Sequence, residues 1–148
     1  MSRTSSPASL TTDNVGFLLA RASQRFNERL VERFAQAGYP EVRASYGSVL
    51  VPLFERDGLR LGQLAARAKL SKQAMTGLVA ACERDGLVTR ARDEADARAF
   101  VVSLTDRGRA FANVAERVTR DLDAELAAVI GTRNHHALVK ALKGVMDL

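Results

Sequence analysis

Apolar side chains recur at Val15, Leu18, Leu19, Ala22, Phe26, Leu30 and Phe34. Spacings of three and four lay them along one stripe of a helix over residues 13–37, and Thr12 or Asp13 is an N-cap type just ahead of it. The Ala-Gly-Tyr-Pro run at 37–40 ends that helix, because glycine suits the position after a helix and proline cannot extend one. A second helix is predicted over 42–54, with Pro52 kinking or shortening its last turn. In the next segment, LGQLAARA at 61–68, helical spacing turns Leu61, Leu64, Ala65 and Ala68 inward. Leu70 is read as a buried plug, and Ser71 as the N-cap of a helix running to about Asp85.

On that helix Met75, Leu78, Val79 and Cys82 share the inner face. Lys72, Gln73, Thr76, Gly77 and Ala80 therefore face outward. This outer face is small and polar with one cation and no carboxylate, whereas an ordinary solvated helix mixes Glu with Lys. It is suited to close approach. Gly86 ends the helix, and residues 87–90 then alternate as a strand. Residues 92–97 form a charged turn, and 98–104, with Phe100, Val101 and Val102, return as the second strand of a hairpin. Thr105 caps another helix, whose apolar positions Phe111, Val114, Ala115, Val118, Leu122, Leu126, Val129 and Ile130 sustain helical spacing further than a small core requires. Gly131 stops it, and a last helix over 134–147 presents Leu138, Leu142, Val145 and Met146.

The order helix, tight turn, helix, two-stranded hairpin predicts a mainly α protein with a small β-hairpin wing, an α+β winged helix-turn-helix with flanking helices. Residues 1–12 hold seven Ser or Thr and no apolar h-region, which predicts a disordered tail and no secretory signal. Residues 13–41 then form a dimerisation helix, 42–110 the winged lobe and 111–148 a pair of C-terminal dimerisation helices. With 148 residues there is room for one compact domain and such appended elements.

Charge sharpens this division. The net charge is +5, yet residues 1–57 carry seven basic and six acidic side chains and residues 111–148 five of each. Residues 58–110 carry ten basic and six acidic, so the excess lies on the winged segment. A local cationic surface attracts polyanions. The longest stretch without Asp, Glu, Lys or Arg is eleven residues, 44–54, short of the roughly 18 that suggest a membrane span. One cysteine excludes an internal disulfide, so the cytoplasm is the expected compartment.

Residues 60–108 resemble the MarR family of bacterial transcription regulators. The motifs that carry the resemblance are LxxLAxxAxLSKQAM, then GLVxR, then Asp96-x-Arg98, then Leu104-Thr105-x-x-Gly108, in this order and at family spacing. The resemblance implies that the helix begun by Ser71 enters the major groove, about 12 Å wide, where Lys72, Gln73 and Thr76 meet base edges or phosphates. Gln73 is the type suited to adenine. It also implies that Arg98 inserts from the wing into the minor groove and that Asp96 orients the wing through a salt bridge with Arg90 or Arg98, while Arg90 and Arg92, cations at the wing's entry, are read as DNA-binding residues beside it. Ala97 and Gly77 stand where many relatives have larger polar or basic residues, which shifts weight toward groove shape. Further implications are a homodimer on a pseudo-palindromic double-stranded DNA operator and repression released by a small aromatic or phenolic effector. Phe17, Arg21, Tyr46 and Leu50 are the pocket positions this suggests. A winged-helix protein-interaction module without DNA binding is the alternative.

Other chemistry is sparse. Cys82 on an inner face reads as core. His135 and His136 are adjacent and point about 100° apart, unlike an i,i+4 metal pair. Asp93, Glu94 and Asp96 on a hairpin tip beside arginines read as solvated, so no catalytic group, metal or cofactor is expected.

Overall fold

The computed structural model describes residues 12–148; of the expected tail, residues 1–11 lie outside the described residues, and Thr12 stands in a turn. Helix α1 (Val15–Gln36) is capped by Asn14, whose Oδ1 accepts from the Phe17 N–H at 2.9 Å. The cap is thus one residue beyond the two expected. Gly38, at φ +100°, ends the helix, and the Tyr39 N–H returns to the Phe34 carbonyl. A 3₁₀ turn (Ala44–Tyr46) leads into α2 (Gly47–Glu55), so the helix expected from residue 42 starts later. It continues three residues past Pro52.

Strand β1 (Leu59–Arg60) joins α3 (Leu61–Ala68) directly. Then come α4 (Lys72–Arg84), β2 (Val88–Arg92), β3 (Phe100–Leu104), α5 (Asp106–Ile130) and α6 (Thr132–Met146). The sheet is antiparallel with order β1-β3-β2. The expected two-stranded hairpin is therefore the larger part of a three-stranded sheet. β1 is only two residues long, too short to display an alternation, and it is fixed by pairing Leu59 with Val102 and Arg60 with Val101. The mainly α winged-helix architecture agrees with the sequence reading.

Two local expectations fail. Leu70 is 38% exposed instead of a buried plug. Lys69 closes α3 in the left-handed region at φ 53°, a conformation that costs a non-glycine residue roughly 1 kcal/mol, and the turn it makes leaves Leu70 outside. Arg98, expected on the second strand, lies in the turn before β3, which starts at Phe100.

The core gathers Leu50, Leu53, Leu64, Met75, Val79, Leu87 and Val102 from the winged lobe with Phe34 of α1 and Phe111 of α5. Phe111 packs edge-on to Phe34 at 4.9 Å between ring centroids and lies 4.8 Å from Tyr39. These rings join the flanking helices to the lobe. The far ends of those helices are different. Val15, Phe17 and Leu18 near the start of α1 are exposed, Val129 near the end of α5 is 83% exposed, and α6 contributes no buried residue.

The start of α5 is locked to the end of α4. Thr105 Oγ1 donates to the Gly86 carbonyl at 2.6 Å and accepts from the Gly108 N–H at 3.0 Å. The Thr105 N–H donates to the Leu87 carbonyl. A Cβ on Gly108 would stand 2.1 Å from the Leu87 carbonyl oxygen. The Leu-Thr-x-x-Gly motif is thus a close-approach joint, with threonine making these three hydrogen bonds and glycine leaving the space.

Candidate nucleic-acid interface

Ser71 opens α4 in an extended conformation, and its Oγ accepts from the Ala74 N–H at 3.0 Å. The first turn of α4 contains no acidic residue. Its positive dipole end and the N–H groups left over by the cap favour an anion. Lys72 and Gln73 are exposed here, with the Lys72 stem lying over Gly62, 3.9 Å from where a Cβ would stand. Thr76 is half-buried, and its hydroxyl donates to the Lys72 carbonyl at 2.7 Å. With its hydrogen so used, the Thr76 hydroxyl keeps acceptor capacity only. Gly77 opens onto empty space.

The wing residues are gathered by β2, β3 and the seven-residue tip at 93–99. The Asp93 N–H donates to the Ala99 carbonyl and the Ala99 N–H to the Asp96 carbonyl. Asp96 Oδ1 accepts from the Arg98 N–H at 3.0 Å and lies 3.6 Å from Arg98 Nε, so its ion pair is with Arg98 and not Arg90. The Arg98 side chain is 95% exposed. It stands clear of the tip.

Arg92 has its partners within the wing, and Arg90 is shared between the wing and α4. Their guanidinium carbons lie 5.3 and 5.6 Å from the centroid of the Phe100 ring. Arg92 Nη1 also donates to the Ala97 carbonyl at 3.0 Å, and Arg90 Nη2 lies 3.7 Å from Glu83. Both stiffen the hairpin that carries Arg98. Asp93, which sequence reasoning assigned to solvent, accepts from the Ala95 N–H at 3.0 Å and pairs with Arg60 at 2.5 Å. The Ala95 N–H and the Arg60 charge hold its carboxyl below the usual range. Its signal in the sequence is weak, because the partner lies 33 positions earlier on a strand too short to read.

The four suggested pocket positions do not meet. Phe17 and Arg21 lie on the exposed half of α1, Arg21 donating to Gln24 at 3.1 Å. Tyr46 is buried, and its hydroxyl donates to Asp85 Oδ2 at 2.5 Å. Burial and that bond push it up to about 12. Leu50 alone of the four lines a cavity of about 100 Å³, with Leu30, Phe34, Val42, Phe54 and Phe111. Beside it, Val51, Phe54, Ala112, Ala115 and Thr119 line a more open groove of about 380 Å³. Sequence reasoning missed this groove; the signal available was Val51, 53% exposed, in a charge-free run.

Cys82 is buried on the inner face of α4, which pushes its thiol up to about 12. His135 Nε2 lies 2.7 Å from Asp123 across the α5–α6 turn. Among the described residues no three His, Cys, Asp or Glu side chains converge as metal ligands, and no helix is long and apolar enough to cross a membrane.

A family model described as MarR family matches residues 53–99. The homoprotocatechuate degradative operon repressor of Escherichia coli is 35% identical over 80 residues, covering 51% of this chain and 54% of that protein. The transcriptional activatory protein BadR of Rhodopseudomonas palustris is 42% identical over 53 residues, 36% of this chain and 30% of its own. The chain thus spans about half, or less, of the length of these curated relatives. Among solved structures, the transcriptional repressor CouR bound to a 23-mer DNA duplex superposes with a TM-score of 0.79 at 25% identity, covering 91% of this chain and 94% of that one. A probable transcriptional regulator from Pseudomonas aeruginosa has the same fold, with a TM-score of 0.78 at 24% identity over 90% and 97% of the two chains.

Proposed function

We propose that this chain, whose residues 53–99 match the MarR family model, belongs to that family and is a transcription regulator that binds double-stranded DNA with sequence specificity and represses until a small molecule releases it. The observation that carries this reading is the carboxylate-free first turn of α4, capped by Ser71, on the same lobe as a wing that leaves Arg98 95% exposed. Backbone N–H groups and Lys72 would hold phosphates there, Gln73 and Thr76 would face base edges, and Arg98 would enter the minor groove. Arg90, Arg92 and Asp96 act from behind by fixing the wing.

Residues 13–41 and 111–148 are assigned to dimerisation around the 42–110 lobe. The exposed apolar residues of α1, the second half of α5 and α6 support this, since one protomer leaves them in water. A two-fold dimer calls for a pseudo-palindromic operator with half-sites about 10–10.5 bp apart. The chain would act in the cytoplasm as a regulator and not as an enzyme.

CouR of Rhodococcus jostii has been solved with p-coumaroyl-CoA bound, and the E. coli relative is named for a homoprotocatechuate operon. By analogy an aromatic or phenolic effector is assigned to the groove at Val51, Phe54 and Ala115, which Asn113 and Glu116 also line, next to the cavity that holds Leu50. It would release DNA by binding better to the lobe spacing that cannot span both half-sites.

Selection of duplexes from a random library by the full chain, followed by sedimentation of the free and bound protein, tests the reading. The expected result is an enriched two-fold sequence bound by a dimer. Failure to enrich any sequence at low salt would favour the protein-interaction module instead.

A further inference from the structure

Arg60 stands at the joint between β1 and α3. Its backbone is paired with Val101 in the sheet, and its N–H donates to Gln63 Oε1 at 2.9 Å, inside the first turn of α3. Its Nη2 reaches across to Asp93 Oδ2 at 2.5 Å. Asp93 is the first residue of the wing tip. Its other oxygen accepts from the Ala95 N–H, and its own N–H closes the tip on the Ala99 carbonyl. The Asp93 side chain is 16% exposed and that of Arg60 47%, so solvent and salt reach this pair from its arginine side.

The β2–β3 ladder ends at the Arg92 and Phe100 pair. Beyond it, the tip that carries Arg98 is tied to the helix-turn-helix by this one ion pair among the described bridges. Resting on the DNA-binding reading above, we propose that Arg60 and Asp93 are positioning residues for DNA recognition. Their pair pins the wing tip to the start of α3, so that Arg98 reaches the minor groove while α4 occupies the major groove. Without the pin, the tip must be ordered on the DNA at an entropic cost to binding.

The proposal makes a prediction that charge alone reverses. Asp93→Asn removes a negative charge from a surface facing phosphates and so, by simple electrostatics, tightens binding. It keeps an oxygen for the Ala95 N–H but loses the ion pair, and the pin therefore predicts weaker binding. A duplex enriched by the unaltered chain is the probe, with affinity measured across salt and hydroxyl-radical protection mapped along each groove. Arg60→Met and Asp93→Asn are each expected to weaken binding by about fivefold, the effect of one ion pair. Both should keep the salt slope, lose protection at the wing's minor-groove site and retain it where α4 lies. Arg60→Asp combined with Asp93→Arg should recover part of the loss seen in Arg60→Asp alone.

Unchanged or tighter binding by Asp93→Asn would overturn the proposal, as would a salt slope lowered by about one in Arg60→Met, which marks a phosphate contact. Melting temperatures of the DNA-free variants within about 2 °C of the parent keep folding out of the comparison, because a surface pair contributes little to stability. An unaltered chain that enriches no duplex overturns the DNA-binding reading itself.

Discussion

Gln73 and Arg98 differ in what their removal should cost. Gln73 is a neutral amide on the exposed first turn of α4, so in the proposed complex it would act by matching a base edge. Gln73→Ala should relax preference at one base position by about 1–3 kcal/mol and leave the salt slope unchanged. Arg98 is a cation with almost all of its side chain in water. Arg98→Ala should weaken binding to all sequences and lower the salt slope by about one. Titrations of both variants over a salt series, against a duplex set with single base changes, check this contrast. At this scale the sequence was informative where a residue acts through its own neighbourhood. Ser71 and Thr105 accept their expected cap bonds because a cap is decided within three residues. Asp93 was not legible because its meaning depends on Arg60, which only the tertiary fold brings near. The surroundings of Tyr46 are hidden for a similar reason, as its hydroxyl is engaged by Asp85, 39 positions away.

Elements were legible in proportion to their length. α1, α4 and α5 carry several turns of apolar spacing, and their bounds follow the pattern closely. β1 has two residues and no period of its own, so a third strand could not be inferred. The misplacement of Leu70 has a different origin. Apolar character suggests burial, but the αL geometry at Lys69 decides which way the turn faces. The joint between β3 and α5 permits a sharp test, because Gly108 faces a backbone oxygen that no rotamer can move aside. Gly108→Ala gains helix propensity of up to about 1 kcal/mol, yet the overlap with Leu87 forces the helix away from β2. The variant should be destabilised by about 1–3 kcal/mol, the usual cost of overpacking. Urea unfolding measures it; a stabilised variant would show that the joint has slack.

Across the whole molecule, stability should decline on the alkaline side. An unburied thiol ionises near pH 8.5 and an unburied phenol near pH 10, whereas Cys82 and Tyr46 hold their protons to about 12 in the folded chain. Over that window the unfolded chain binds fewer protons, so stability falls as pH rises and is restored below about pH 8.5. Melting temperatures should drop progressively from about pH 9, and Cys82→Ala should postpone the onset toward pH 10. The flanking helices show what a single chain's sequence cannot decide. Their apolar stripes run longer than one core requires and leave Val15, Phe17, Leu18, Val129 and Met146 exposed, so periodicity marks the face without naming the surface that would cover it.

Burial of the chain's one cysteine also has a kinetic reading. A thiol reagent can reach Cys82 only in the moments when α4 lifts from the lobe, so the modification rate counts those excursions. Bound DNA should slow that rate and an effector that releases DNA should restore it. The slowest labelling would then mark the complex in which the lobe opens least often.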